Sequence, residues 1–484
     1  MPASIGPDRG LTRSLTLTLV LAVVSVAVLV APPWTPPAVA LARSVSEPPG
    51  TAEEPGDDDD VAELKRAIAV LEEELARLKE GGAKDEKLAE LERRIDLLAV
   101  EIEKLRTGGA VQETPLQGSK GLGPAASTVY RKDRGVAIGG YGEALYTNNA
   151  ELRQDEQPSD ETDEFDFLRA VFYVGYKFSD SILFNSEIEI EHASTDKGGS
   201  VSVEFAYLEF QKRPEIGLRA GMLLVPVGFV NELHEPPIFH GARRPEVERL
   251  LIPTTWRENG AGLFGAAGPF EYRGYAVVGL RSSGFTAAGI RGGRQKGAKS
   301  QAEDFALTGR LDFVGLPGVL LGGSFYTGGS GQGATVDDRT IRGRVDLFDL
   351  HGQLEYRGLQ LRALWTRSRI GDVPLINVDN ELQGDESVGE VQGGWYVEAA
   401  FDVMTLAPKG RWSITPFVRY EELGTQKQVP AGWEIDPARE RSLLTGGIEI
   451  GPIPQVVFKL DYQVVKDDAR TGVNRFNVAL GYLF

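Results

Sequence analysis

FNVALGYLF, residues 476–484, is the stretch whose reading decides the fold. Every second residue is apolar and mostly large (Phe476, Val478, Leu480, Tyr482, Phe484), and those between, Asn477, Ala479, Gly481 and Leu483, are mostly small or polar. A two-residue period with two unlike faces is the signature of a β-strand. The pattern recurs upstream. Phe458, Leu460, Tyr462 and Val464 alternate with Lys459, Asp461 and Gln463, and Ile182, Phe184, Ile188 and Ile190 alternate with Asn185, Glu187, Glu189 and Glu191. About sixteen such segments follow one another, beginning near Val136, Glu164, Ile182, Ser202, Ile216, Ala261, Phe270, Ala302, Val319, Asp346, Leu359, Gly394, Ser413, Arg441, Gln455 and Phe476.

The connections sort themselves by length. Short ones (178–181, 212–216, 268–269, 315–318, 356–358, 405–412, 451–454) alternate strictly with long ones (148–163, 194–201, 225–260, 280–301, 327–344, 368–393, 422–440, 466–474). A soluble sandwich has no reason to do this. A membrane barrel does, with tight turns at one end, long loops at the other, a wet lumen for the charged faces and lipid for the apolar ones. The predicted fold is all-β: a 16-stranded antiparallel transmembrane β-barrel over 136–484, preceded by a short α-helical coiled coil. A barrel of sixteen strands is wide enough to hold an aqueous channel.

The chain ahead of the barrel reads as four segments. Arg9 and Arg13 precede an apolar run over 15–30, followed by Ala38-Val39-Ala40, the pattern of a secretory signal peptide; 1–42 is assigned to it, with the mature chain starting near Leu41 or Arg43. Residues 43–60 form an acidic linker ending in Asp57 to Asp60. Over 61–106 the period changes to that of a coiled coil. One seam runs Leu64, Ile68, Leu71, Leu75, Leu78, and another Leu88, Leu91, Ile95, Leu98, Ile102, Leu105, with Gly81-Gly82 between them. This is an interrupted coil or a helical hairpin, and it reads as periplasmic. Residues 107–135 are again linker.

No later stretch offers ~20 consecutive apolar residues, so any membrane crossing is made by strands. A net charge of −18 argues against a nucleic-acid partner, and with no cysteine the chain holds no disulfide.

The longest connection, GFVNELHEPPIFHGARRPEVERLLIPTTWRENG over 228–260, is the third long loop, 225–260. Phe229, Leu233, Ile238, Phe239, Leu250, Leu251, Ile252 and Trp256 would be wasted in water, so the loop is expected to fold inward onto the lumen wall and narrow it. It carries Arg243, Arg244, Arg249 and Arg257 against Glu232, Glu235, Glu246, Glu248 and Glu258. Further inward-facing candidates are Arg169, Lys177, Arg219, Arg310, Arg362 and Arg419 beside the acids Glu187, Glu189, Glu191, Glu209, Glu355 and Glu398. Arginine forks present fixed donors to oxyanions, and Arg243, Arg244, Arg249, Arg257, Arg219 and Arg169 are the candidate anion contacts. The alternative for each is an ion pair with a lumen glutamate that braces the barrel.

Signal peptide, coiled coil, sixteen strands, an inward third loop and a terminal Phe484 together resemble the phosphate-selective porin O and P family. The segments RAGMLLVPVG (219–228), NELHEPP (231–237), RPEVERLLIPTTWRENG (244–260) and IRGGRQ (290–295) look like less-characterised porins of that group. The resemblance implies a homotrimer in the outer membrane of a Gram-negative-type bacterium, in contact with its lipid, passing small hydrophilic solutes or anions by passive diffusion, with Phe484 serving membrane insertion. The chain departs from the archetypes, whose third loop is rich in lysine. Here that loop has no lysine, and 136–484 holds 35 basic and 48 acidic residues.

Two other classes compete with this reading. An enzyme needs a nucleophile and base, and the four histidines, His192, His234, His240 and His351, form no familiar motif. His234 and His240 share the third loop with Glu232 and Glu235, but their spacing and Pro236-Pro237 match no metal motif. No cofactor and no metal are expected. A structural tether to peptidoglycan through the coiled coil is the alternative to a porin.

Overall fold

The computed structural model describes residues 118–196, 198–406 and 412–484. The chain divides into two units, Met1–Val111 and Gln112–Phe484, and the described residues belong to the second. The expected signal peptide, acidic linker and coiled coil therefore lie outside the described residues.

Where the sequence alternates, the chain forms strands: β1 (Gly135–Arg153), β2 (Glu164–Ser179), β3 (Ile182–Glu191), β4 (Ser200–Arg213), β5 (Ile216–Leu224), β6 (Arg257–Ala267), β7 (Phe270–Val278) and β8 (Phe305–Leu316) make one half. The other half is β9 (Val319–Gly328), β10 (Val345–Tyr356), β11 (Leu359–Ile370), β12 (Val391–Phe401), β13 (Ser413–Gln428), β14 (Glu440–Ile453), β15 (Val456–Asp467) and β16 (Val473–Leu483). Each pairs antiparallel with its neighbours in sequence, and β1 pairs with β16 to close the ring. At the seam the Phe484 backbone exchanges two hydrogen bonds of 2.9 Å with Gly140. Sixteen strands, each at its expected place, leave no sheet edge exposed.

Six of the seven turns at one end are two residues long, and the seventh runs over 402–412. At the other end lie eight connections, the longest being 225–256 and 279–304. The outer surface is apolar: Ile138, Phe172, Leu208, Leu218, Leu307, Leu350, Trp365 and Phe458 are among its exposed side chains. No helix of the described residues is long and apolar enough to cross a membrane.

The inner face is polar and crowded. Glu187, Glu209, Arg219, Arg419, Lys459 and Asn477 are all buried there. The register of β3 against β4 slips once, between Glu187 and Ile188, where Glu204 is the extra residue. A bulge bends the strand and re-aims a side chain. Here it turns both Glu204 and Phe205 inward, and both are buried.

Residues 118–134, within the span read as linker, also occupy the lumen at its short-turn end. Leu122, Ala125, Ala126 and Val129 are buried there. The N–H groups of Ala125 and Ala126 donate to Glu235 at 3.1 and 2.9 Å, and Asn185 donates to the Ala126 carbonyl at 2.9 Å. Lys120 pairs with Glu209 at 2.6 Å.

Candidate constriction site

The third loop leaves β5 at Leu224 and rejoins the wall at Arg257, and Asn231 ties its neck. The Asn231 amide donates to the carbonyls of Val225 (2.6 Å) and Trp256 (3.0 Å), and its side-chain oxygen accepts from the Trp256 N–H at 2.6 Å. Val225, Val227, Phe229, Val230, Val247, Leu251, Ile252 and Trp256 are all buried, so the loop has an apolar core of its own within the barrel. Gly228 turns the chain with φ +68°, and a Cβ there would meet Glu248 Oε2 at 2.7 Å. Glu248, on the one-turn helix α1 (Glu246–Leu250), accepts from the Val230 N–H at 2.6 Å and from the Tyr396 hydroxyl at 2.7 Å, which locks the loop to β12.

Beyond the neck, cations from the wall hold the loop by its carbonyl groups. Arg362 donates to Ile238 O at 3.0 Å, Lys459 to Gly241 O at 3.0 Å and also to Phe239 O, and Arg419 to His240 O at 2.9 Å and Arg243 O at 3.1 Å. Arg310 donates to Gly228 O. Arg419 also contacts Glu398 and Glu421, each at 3.0 Å. These inward cations secure the loop, a task the sequence did not assign to them.

Of the candidate anion contacts, three pair with carboxylates of the wall, and Arg243 donates to wall side chains, Thr147 Oγ1 at 2.8 Å and Asn477 Oδ1 at 3.3 Å. Arg219 reaches Glu209 (3.0 Å), the Lys120 carbonyl (3.0 Å) and the hydroxyls of Tyr130 (3.1 Å) and Tyr275 (3.2 Å). Arg257 pairs with Glu204 at 2.6 Å, and Arg169 with Glu143 at 3.1 Å and Glu189 at 3.7 Å. Among the acids, Glu191 accepts from Ser200 at 3.0 Å, and Glu187 faces His234 at 3.0 Å. The two loop histidines are parted: His240 lies between Glu449 (2.7 Å) and Gln360 (3.0 Å).

Arg244 and Arg249 share a neighbourhood with Arg291 and Arg294 of the fourth long loop. Arg291 donates to the carbonyls of Arg249 (3.0 Å) and Thr254 (2.9 Å), and Arg294 to Thr254 O at 2.7 Å. Burial, then the charges of Arg294, Arg249 and Arg244, hold the Arg291 guanidinium below the ordinary arginine range. Burial and Arg475 hold Arg243 down likewise. Arg249 pairs with Glu246 at 2.6 Å. Among the described residues, Arg243, Arg244, Arg291 and Arg294 form no ion pair within 4.0 Å, and all four are partly accessible. Arginine keeps its charge at neutral pH. Neighbouring guanidinium groups with no carboxylate within ion-pair distance are an arrangement suited to an oxyanion. The sequence signal for Arg291 and Arg294 was an Arg-Gly-Gly-Arg pair in a long loop with no acid nearby.

At the short-turn end a cavity of about 600 Å³ lies between residues 118–122, β4 to β9 and the third loop; Lys120, Glu232, Arg273, Arg310 and Asp312 line it.

No family model matches the chain. A protein of Aquifex aeolicus (strain VF5), named only as uncharacterized, is 38% identical over 359 residues, which cover 72% of this chain and 79% of that protein. Among solved structures, a loop L8 deletion mutant of OmpT, an outer membrane protein of Vibrio cholerae, aligns with 73% of this chain and 100% of its own at 11% identity and a TM-score of 0.47. An anion-selective porin from Comamonas acidovorans aligns with 72% of this chain and 99% of its own (10% identity, TM-score 0.45). The outer membrane channel DcaP of Acinetobacter baumannii aligns with 72% of this chain and 97% of its own (11% identity, TM-score 0.45).

Proposed function

We propose that this chain, which belongs to the same family as the uncharacterized Aquifex aeolicus protein, is an outer-membrane porin that passes small hydrophilic solutes by diffusion and favours anions. The observation that carries the proposal is the neighbourhood of Arg244, Arg291 and Arg294, where the inward third loop meets the fourth long loop and none of the three has a carboxylate within 4.0 Å among the described residues. Selectivity depends on charge at the narrowest point rather than on total charge, so the excess of acids over the whole barrel does not oppose it. Two of the four segments that look like less-characterised porins of the phosphate-selective O and P group, 244–260 and 290–295, meet here. Inorganic phosphate is the finer candidate for the preferred solute. A homotrimer with 61–106 in the periplasm completes the proposal, and Phe484 is its candidate insertion signal.

Single-channel recording of the purified full chain in a planar bilayer under a KCl gradient tests this. A reversal potential favouring chloride, with block by added phosphate, supports the proposal. It gains weight if Arg291→Gln with Arg294→Gln removes the preference. Cation selectivity, or indifference to those substitutions, removes the anion preference. No conductance removes the porin and leaves the tether.

A further inference from the structure

We infer that Glu187, Glu204 and His234 form a buried divalent-metal site, of the kind that zinc occupies, joining the third loop to β3 and β4. Three separately placed residues converge. Glu187 faces inward on β3, Glu204 is turned inward by the bulge in β4, and His234 comes from the loop; the three ligand atoms lie within 4.8 Å of one another, and all three residues are buried.

The hydrogen bonds say what is missing between them. His234 Nδ1 lies 3.1 Å from the Asn231 carbonyl, which can only accept, so Nδ1 carries the proton, and in the neutral ring Nε2 presents its lone pair the other way. That lone pair faces Glu187 Oε1 at 3.0 Å and Glu204 Oε2 at 3.7 Å. Three electron-rich atoms at such distances repel unless a cation or a proton lies among them. A backbone carbonyl on one ring nitrogen and a ligand position on the other is how metal-bound histidines are commonly oriented. Ligands held at about 2.0–2.1 Å in a tetrahedron lie roughly 3.3 Å apart, between the two His–Glu spacings of 3.0 and 3.7 Å.

The carboxylates have capacity to spare. Glu187 Oε2 and Glu204 Oε2 are buried with no hydrogen-bond partner. Glu204 uses its other oxygen for Arg257, so it would ligate through Oε2 alone. The neighbouring cation Arg169 pairs with Glu143 and Glu189 and makes no ion pair within 4.0 Å with Glu187. A bound divalent ion would offset the excess of buried carboxylates and clamp the loop beside its neck.

The test uses the full chain in detergent, stripped with a chelator and then titrated with ZnCl2 by calorimetry and with CoCl2 by visible absorption. The expected result is one zinc ion per chain and a cobalt spectrum typical of nitrogen and oxygen ligands. Glu187→Gln, which keeps the side chain's size, and His234→Gln should each weaken zinc binding by at least the ~10–100-fold known for changes in the outer shell of a metal site. The cobalt spectrum should change with the first and vanish with the second. Folding is checked by the shifted gel mobility of unheated barrels, and Glu187→Gln alone decides if His234→Gln does not fold. The inference is overturned if the wild-type chain binds no zinc. It is equally overturned if the substitutions leave binding intact, which would move the ion to an exposed pair such as His192 and Asp166.

Discussion

Two sets of arginines in the same lumen both reach main-chain carbonyls but differ in their carboxylate partners. Arg419, Arg362 and Arg310 project from strands and donate to loop carbonyls; Arg419 and Arg310 also meet carboxylates, Glu398, Glu421 and Asp312. Arg243, Arg244, Arg291 and Arg294 project from loops, and among the described residues no acid lies within ion-pair reach of them. A buried charge is tolerated only with partners, whereas a partly wet one can wait for a solute. The difference teaches that the residue type does not set the role. What matters is whether the arginine has been surrounded.

The comparison breaks hardest at Arg419. Arg419→Ala strands Glu398 and Glu421 in the lumen and frees the carbonyls of His240 and Arg243. Removing one partner of a buried ion pair costs about 3–5 kcal/mol. Thermal unfolding followed by gel mobility should show that loss, and single channels should turn noisy as the loop loosens.

Asn231→Ala is expected to come second. It leaves the Trp256 N–H without its partner at the loop's neck, while the carbonyls of Val225 and Trp256 keep only their backbone donors, at about 1–3 kcal/mol for a buried group left unsatisfied. The same unfolding assay reads it. Arg291→Gln with Arg294→Gln sharpens the comparison from the other side. Stability should fall by no more than about 1.5 kcal/mol for each lost hydrogen bond, while the reversal potential moves toward the cation side.

The smallest effect concerns pH. Burial opposes a charge on His240, but Glu449 more than offsets it, so its pKa lies above the ordinary histidine value. A raised folded pKa means that the His240–Glu449 pair contributes fully below the unfolded value of about 6.5 and fades as pH rises through the folded one. Melting of the wild type should therefore drop slightly more between pH 6 and 9 than melting of His240→Gln. Equal slopes would show that the pair does not titrate in this range.

The barrel was legible because its signals are local. Two-residue alternation marks each strand, and the alternation of loop lengths reports topology without any long-range information. Pairing inside the lumen is not local. Glu187 meets His234 across 47 positions and Arg419 meets His240 across 179, and only the closed ring brings them together. Glu204 was hidden for another reason: strict alternation points it at lipid, and a single bulge reverses it. Residues 118–134 read as linker because they are small and polar, yet small residues are what a crowded lumen admits.

The grip on the third loop falls on main-chain oxygens, which every residue possesses whatever its side chain. Holding and filtering are thereby separated. Side chains along 238–243 could be exchanged over many generations, or at the bench, while Arg362, Arg419 and Lys459 went on clasping the same carbonyls. A barrel built this way is a chassis whose filter can be rewritten, and libraries randomising the loop's exposed positions should yield folded channels at a higher rate than libraries touching the wall.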